Sequence, residues 1–202
     1  MRSLSEIDTT AKRATKAIGF SWGIAEEVGK NSRLLEMFGL PGIRNLNYYF
    51  KVYKKHQFQK ISLISKKNIS KIPYCPIITG TNFLDQAYTI QEHENISFDN
   101  IAFPILFLPF VSRASEIIGK KILLSIDENI LLLSFNHSIL SNANINNIIE
   151  LGKVINIKFI ENENSFTESE WKELYNLSED TFVEETEESK QNTAGAGVTD
   201  ND

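Results

Sequence analysis

A dense apolar region in the middle of the chain constrains the possible fold more than any other feature. Residues 101–111 are apolar throughout, and two aliphatic runs follow, over residues 122–126 and 130–135. A membrane-spanning helix needs about 20 apolar residues, whereas the first run has eleven and is interrupted by Pro104 and Pro109. We therefore expect this region to form the buried core, and we expect no association with a membrane.

The first quarter of the chain has the pattern of a small helical bundle. Ser3 and Glu6 can form a capping box, and apolar residues follow at helical spacing as far as Gly19. The caps and the spacing predict three helices, one over about residues 4–18, one between Ser21 and Gly39, and one from Pro41 to about Lys54.

The remaining chain alternates β-branched and apolar residues with short loops. It predicts strands over about residues 58–65, 88–90 and 154–159, a loop over 66–76, a hairpin around residues 127–129, and helices over about 110–118 and 145–151. The aliphatic runs of the hairpin are typical of strands that are covered on both faces. A second capping box, Thr167 to Glu170, opens a last predicted helix.

These elements predict an α+β fold, with a mixed α/β arrangement as the alternative. An N-terminal helical hairpin and a third helix would pack on a sheet of four to five mostly antiparallel strands. Residues 1–183 are expected to form a single domain. Residues 184–202 form an acidic and then Gly/Ala-rich tail with too little apolar surface to fold alone.

Charge is distributed unevenly along the chain. Residues 161–202 carry thirteen acidic side chains against two lysines, a net charge of −11, whereas the whole chain carries −5, so residues 1–160 carry +6. The lysine segment, residues 51–71, contains seven lysines and no acidic residue. Such a segment could bind a polyanion. Because the whole chain is rich in Ile, Asn and Lys and has no nucleic-acid motif, we expect it not to bind nucleic acid.

The N-terminus and the cysteine content indicate a cytoplasmic protein. The start of the chain lacks the basic and then apolar plan of a signal peptide. Cys75 is the single cysteine, so an intramolecular disulfide is excluded.

Few residues are candidates for catalysis or metal binding. His56, His93 and His137 lie in three segments without metal-ligand spacing, so we expect no metal and no cofactor. Cys75 is a candidate nucleophile, for which no base is placed by the sequence, and the alternative is a simple buried cysteine. Asp85 is a second catalytic candidate without an evident partner.

Two short glycine-containing segments are candidate binding sites. Thr79, Gly80 and Thr81 could offer backbone amides to a phosphate, although they lack the lysine and spacing of a P-loop and a turn is the alternative. In the tail, the uncharged residues 194–198 could lie in a groove. The candidate interaction residues there are Gly195, Gly197, Asp200 and Asp202.

The chain resembles a bacterial family catalogued as domain of unknown function 3726. The residues that carry the resemblance are 3–42, Tyr74-Cys75-Pro76 with Gly80 and Asp85, residues 104–110, and the ending GAGVTDND. The resemblance implies no known reaction. Residues 3–53 are also similar to the helical opening of the type-2 malate/L-lactate dehydrogenases, which have a Ser-His-Gly with an acid/base histidine where this chain has residues 40–43, Leu-Pro-Gly-Ile.

Without that histidine, this chain lacks the proton-transfer group of those dehydrogenases. We leave open whether it is an enzyme, and we favour a non-catalytic accessory or interaction partner of a metabolic enzyme. It would bind a protein partner or form a homo-oligomer through its helical opening or its tail, whose acidic part would lie near the lysine segment. The alternative is a small-molecule enzyme or binder with a pocket near Cys75, Gly80 and Asp85.

Overall fold

The computed structural model describes residues 2–181, which form two compact units that divide after Asn162. Among these described residues, the first unit contains six α-helices and one sheet, and the second contains one helix. No helix within the described residues is long and apolar enough to cross a lipid bilayer. The expectation of one domain over residues 1–183 stays a prediction.

The three predicted N-terminal helices are confirmed as α1 (Leu4–Ile18), α2 (Trp22–Met37) and α3 (Gly42–Tyr53). The Ser3 hydroxyl accepts a hydrogen bond from the Glu6 amide at 3.1 Å, and Gly19 closes α1 in the left-handed conformation, with φ of 112°. Helices α1 and α2 pack closely at Gly29, because a Cβ there would lie 2.6 Å from a carboxylate oxygen of Asp8.

One six-stranded sheet forms the centre of the first unit. In chain order its strands are β1 (Lys67–Asn68), β2 (Asn95–Ala102), β3 (Lys121–Ile126), β4 (Asn129–Ser134), β5 (Ser138–Ser141) and β6 (Leu151–Ile160). Their spatial order is β1-β2-β6-β3-β4-β5, and every neighbouring pair is antiparallel except β1 with β2. The last strand in sequence therefore lies in the middle of the sheet, and the predicted α+β fold is confirmed.

Helices cover the inner face of this sheet. They are α4 (Pro76–Asp85), α5 (Ala87–Ile90) and α6 (Leu108–Ile118), with a 3₁₀ turn over Pro104–Leu106. Helix α6 packs on β3 and β4, and α4 packs on α6. Side chains from the sheet meet them in the core, and Ile122, Leu124 and Ile157 are fully buried. The apolar region at residues 101–111 is buried as predicted.

The strand predicted over residues 58–65 is wrong, because side chains of α4 and of its C-cap residue bond to this backbone in place of a second strand. The Asn82 amide donates to the Ile61 carbonyl at 2.8 Å. The Gln86 side chain donates to the Ser62 carbonyl at 3.0 Å and accepts from the Ile64 amide at 3.1 Å. The segment is consequently irregular and has one isolated bridge, from Gln59 to Tyr74.

Two other predicted elements are also wrong. Residues 88–90 belong to helix α5 and not to a strand. Residues 145–150 are irregular, and strand β6 begins at Leu151, opposite Ala102 of β2. Ile145 is nevertheless buried, so the periodic isoleucines of this segment pack on the core without forming a helix.

The second unit contains helix α7 (Glu168–Glu179). Its predicted capping box is confirmed, since the Thr167 hydroxyl accepts from the Glu170 amide and the Glu170 carboxylate accepts from the Thr167 amide at 2.7 Å. The predicted tail, including Gly195, Gly197, Asp200 and Asp202, lies outside the described residues.

Candidate functional site

Cys75, the candidate nucleophile, lies in the core at the start of α4. Its sulfur is 2.9 Å from the Tyr49 hydroxyl and accepts a hydrogen bond from the Ile78 amide at 3.4 Å. The side chain is 0% exposed. Burial raises the pKa of the Cys75 thiol, and the hydrogen bonds from Tyr49 and Ile78 offset only part of this effect. The raised pKa favours the neutral thiol, and the sulfur caps α4 from a position that is not exposed to solvent.

Gly80 and its neighbours lie within α4 and not in a phosphate-binding loop. A Cβ at Gly80 would lie 2.1 Å from the Phe110 ring, so this glycine allows α4 to approach α6. Thr79 is fully buried, and the Thr81 hydroxyl donates to the Ile77 carbonyl. These contacts favour a packing role over the predicted phosphate contact.

Asp85 lies at the far end of the same helix and is exposed. Ten residues of helix separate it from Cys75, which corresponds to about 15 Å. The two candidate catalytic residues are therefore not brought together.

The three histidines also lie apart. His56 follows α3, His93 precedes β2, and His137 lies in the turn between β4 and β5. Within residues 2–181, no group of three or more histidine, cysteine, aspartate or glutamate side chains could hold a metal ion.

A groove of about 430 Å³ lies next to the Tyr74-Cys75 segment. Its walls come from the end of α3, the following loop, residues 72–73, the end of β2 and the start of β6. The lining is mainly apolar and comprises Val52, His56, Gln57, Phe58, Ile72, Pro73, Ala102, Phe103, Glu150 and Leu151. We call this feature the α3–β2 groove.

A strained residue forms part of the groove lining. Phe103 has φ of 43° and ψ of 60°, a left-handed conformation that a bulky side chain adopts only when its surroundings impose it. Its amide donates to the Glu150 carbonyl at 2.9 Å, and its ring meets the Tyr49 ring edge-on at 5.8 Å. Phe103 is 2% exposed. Phe103 is thus packed almost entirely beneath the groove surface.

A second, wider cleft of about 630 Å³ lies at the turn between α2 and α3. Its lining includes Leu40, Pro41 and Ile43. The Glu36 carboxylate accepts from the Ile43 amide at 2.8 Å, so this acid is used to hold the turn.

The outer face of the sheet carries an apolar row that crosses three strands. Leu123 of β3 lies opposite Leu132 of β4, and Leu132 lies opposite Leu140 of β5. Leu140 is 62% exposed, and nearby Ile130 and Val154 are 43% and 49% exposed. In the hairpin itself Ile130 is exposed and Leu123 and Leu132 are half-buried, so the expected cover on both faces is only partial. We call Leu123, Leu132 and Leu140 the leucine row.

Sequence reasoning missed both surfaces for different reasons. The α3–β2 groove combines four stretches that are distant in sequence, residues 52–58, 72–73, 102–103 and 150–151. No local sequence pattern predicts the left-handed conformation of Phe103. The leucine row had a local signal, because residues 123, 130 and 132 alternate with buried positions once the hairpin register is known. The uniform aliphatic character of both strands hid this alternation.

The six-stranded sheet with helices on its inner face defines an α+β protein without a recognisable catalytic cluster among the residues described. The model of a family described as "Protein of unknown function (DUF3726)" matches residues 2–75. The resemblance to that family is thus confirmed over this part of the chain, which holds α1, α2, α3 and the lysine segment. No curated protein and no solved structure matches the chain significantly. The weaker similarity to the dehydrogenases stays an interpretation of the sequence.

Proposed function

We propose that the protein is a non-catalytic accessory or interaction partner of a metabolic enzyme, and that it docks through the outer face of its sheet. The observation that carries the proposal is the leucine row, in which three leucines lie in register on the outer face, with Leu140 exposed and Leu123 and Leu132 half-buried. Contiguous exposed apolar surface of this kind typically marks a protein interaction site.

The charges beside the row indicate the chemistry of the partner. Lys158 lies opposite Leu123, and Lys121, one strand position before the inward-facing Ile122, shares the outer face. Both lysines are exposed. A partner surface with an apolar centre and an acidic border matches this arrangement, because opposite charges guide association while the leucines supply affinity. Full burial of one exposed leucine contributes about 1.5–3 kcal/mol.

The alternative of a small-molecule enzyme or binder near Cys75, Gly80 and Asp85 stays a prediction. The burial of Cys75 and the contact between Gly80 and Phe110 weigh against it. The N-terminal helices and the C-terminal tail stay predicted docking elements for the same accessory role. The leucine row is the more specific surface because its register is defined and Leu140 at its end is exposed.

The test compares two leucines that are similarly exposed in different places. Leu140 ends the leucine row, whereas Leu63 lies in the irregular segment after α3 and is 72% exposed. The tagged full-length chain, Leu140→Glu and Leu63→Glu are purified from the native host at equal expression. Co-eluting proteins are identified by mass spectrometry, and the mass of each complex is measured by light scattering.

We expect the intact chain and Leu63→Glu to retain a stoichiometric metabolic enzyme that Leu140→Glu loses, while all three keep the same far-ultraviolet circular dichroism. Retention of the same enzyme by Leu140→Glu would overturn the sheet-face assignment. A complex that contains only a second copy of this chain, or a clean monomer, would overturn the proposed accessory role.

A further inference from the structure

We propose that strand β5 is a self-association site, at which β5 of a second copy of this chain pairs antiparallel and joins the two sheets into one. The proposal concerns the edge of the sheet and not its outer face. It does not depend on the accessory role, because the pairing needs no other protein and is measured on the purified chain. It rests on the position of β5, the direction of its backbone groups and the absence of charge around it.

Strand β5 is the outermost strand at one side of the sheet. It is last in the spatial order, and among the described residues β4 is the strand that pairs with it. Ser138, Leu140 and Ser141 are exposed, and Ile139 is half-buried. An edge strand presents a row of unpaired N–H and C=O groups with which another chain can pair. One side of β5 is therefore accessible to a further strand.

The register with β4 determines which backbone groups of β5 point outward. The Asn142 amide donates to the Ile130 carbonyl at 3.1 Å. Hydrogen-bonded and non-hydrogen-bonded pairs alternate along two antiparallel strands, so the next residue of β5 that bonds to β4 is Leu140. The amides and carbonyls of Ile139 and Ser141 therefore point away from β4.

A second β5 matches this pattern when Leu140 lies opposite Leu140 of the second copy. Ile139 then lies opposite Ser141 of the second copy, and Ser141 lies opposite Ile139 of the second copy. Each of these two pairs exchanges both of its N–H···O bonds, as a hydrogen-bonded antiparallel pair does. The arrangement is unchanged when the two copies are exchanged, which is the requirement for a two-fold symmetric dimer.

The same register covers an exposed leucine. Leu140 is 62% exposed. In a non-hydrogen-bonded pair the opposite side chains lie close together, with Cβ atoms about 4.5–5.5 Å apart. The two Leu140 side chains would therefore pack on each other at the outer face, and the leucine row would continue from one copy into the next.

No charge opposes this pairing. The chain has no aspartate, glutamate, lysine or arginine between residues 129 and 149, so two β5 strands bring no like charges together although the whole chain carries −5. Edge strands are commonly protected by charged side chains, especially lysine, or by proline. Residues 138–141 are Ser-Ile-Leu-Ser and have neither. At the opposite edge of the sheet, β1 has only two residues, and one of them is Lys67.

The size of the interface indicates a reversible dimer. Specific, stable interfaces bury at least about 1,200 Å² in total, and two paired strands of four residues bury less than this. We therefore expect the dimer population to rise with the concentration of the chain.

The test measures the mass of the purified full-length chain by sedimentation velocity between about 5 and 500 µM. We expect the mass to rise from that of a monomer towards that of a dimer over this range. Amide hydrogen exchange, followed by NMR at both concentrations, should slow at Ile139 and Ser141 in the concentrated sample. Exchange at Leu140 should stay unchanged, because its amide already bonds to β4.

Opposite charges at position 140 test the register. Leu140→Lys and Leu140→Glu each place like charges opposite one another in the dimer, so each variant alone should stay monomeric. An equimolar mixture of the two should associate, because lysine then lies opposite glutamate. Leu63, which is 72% exposed and lies outside the sheet, provides the control. Leu63→Lys and Leu63→Glu should each dimerise as the intact chain does.

Three results would overturn the proposal. The first is a monomer at every concentration, and the second is a dimer in which exchange at Ile139 and Ser141 does not slow. The third is a mixture of Leu140→Lys and Leu140→Glu that stays monomeric while both variants keep the far-ultraviolet circular dichroism of the intact chain.

Discussion

Gly80 shows how a residue that resembles a ligand-binding glycine instead sets the distance between two helices. A methyl group there would overlap the Phe110 ring of α6, with the closest ring atom at 2.1 Å. Phe110 is itself 1% exposed and lies within the packed core. We predict that Gly80→Ala destabilises the fold by about 1–3 kcal/mol, as overpacked core substitutions do. Urea denaturation measures the change.

Gly23 provides the matched control for this prediction. It lies in the first turn of α2, and a Cβ there would have no atom within 4 Å. Alanine is the better helix former by about 1 kcal/mol. Gly23→Ala should therefore leave the free energy of unfolding unchanged or raise it slightly. Equal effects of the two substitutions would contradict the packing role of Gly80.

Residues in the core could be predicted from the sequence, but their roles could not. Burial of residues 101–111 followed from their composition alone. The pairing of Cys75 with Tyr49 joins positions 26 residues apart and depends on α3 lying beside the start of α4. No local sequence pattern predicts this pairing. The sequence alone therefore does not distinguish a buried thiol from a reactive one.

Among the elements, α7 depends on a cap whose strength should vary with pH. Hydrogen bonds from the Thr167 amide and hydroxyl lower the pKa of the Glu170 carboxyl. A lowered pKa in the folded helix means that the stabilisation is present above the unfolded pKa of about 4.3 and is lost as pH falls through the lower, folded value. We predict that α7 frays at its N-terminus as pH falls from 6 to 3, which Cα chemical shifts of residues 167–171 would show.

Glu170→Gln and Glu168→Gln separate this cap from general effects of acid. Glutamine at 170 keeps an acceptor without a titrating group, so the shifts near Thr167 should lose most of their pH dependence. Glu168 lies in the same first turn without being the capping residue, and Glu168→Gln should keep the dependence. The prediction fails if both variants titrate as the intact chain does.

Helices with local capping residues could be predicted from the sequence. Segments whose structure depends on hydrogen bonds to distant parts of the chain could not. The capping residues Ser3, Ser21 and Thr167 all begin helices as predicted. Residues 58–65 are of types common in strands. The side-chain amides of Asn82 and Gln86, however, bond to the backbone carbonyls that a neighbouring strand would otherwise use. Strand β2 was not predicted. Its two inward residues, Ile96 and Phe98, are too few to indicate a strand until their pairing with β6 is known.

For the whole of the first unit, one ion pair connects the N-terminal helices to the core. Arg113 of α6 donates to the Glu27 carboxylate of α2 and to the Asn31 side chain at 3.1 Å. Burial acts to raise the pKa of Glu27, but hydrogen bonds from Lys30 and Arg113 outweigh it and leave the pKa below its ordinary value. Glu27 therefore stabilises the folded state above about pH 4.3, and this contribution is lost as pH falls through the lower folded value.

We predict that Arg113→Met lowers the free energy of unfolding by about 1–3 kcal/mol, because the charged hydrogen bond to Glu27 is lost and the Asn31 side-chain oxygen loses its donor. Arg2→Met, which removes the exposed pair with Glu6, should have little effect. Urea denaturation at pH 7 measures both. If both variants lose the same free energy of unfolding, the ion pair of Arg113 stabilises the fold no more than an exposed pair does.

The position of β6 has a consequence for how the chain is made. Residues 151–160 lie between β2 and β3, yet they are the last of the sheet to be synthesised. Translation proceeds at about 5–20 residues per second, so β2 waits roughly 2–10 s for its neighbour with an open edge that other nascent chains can pair with. A premature stop codon just before Leu151 would therefore release a product prone to aggregation, and not a smaller folded protein.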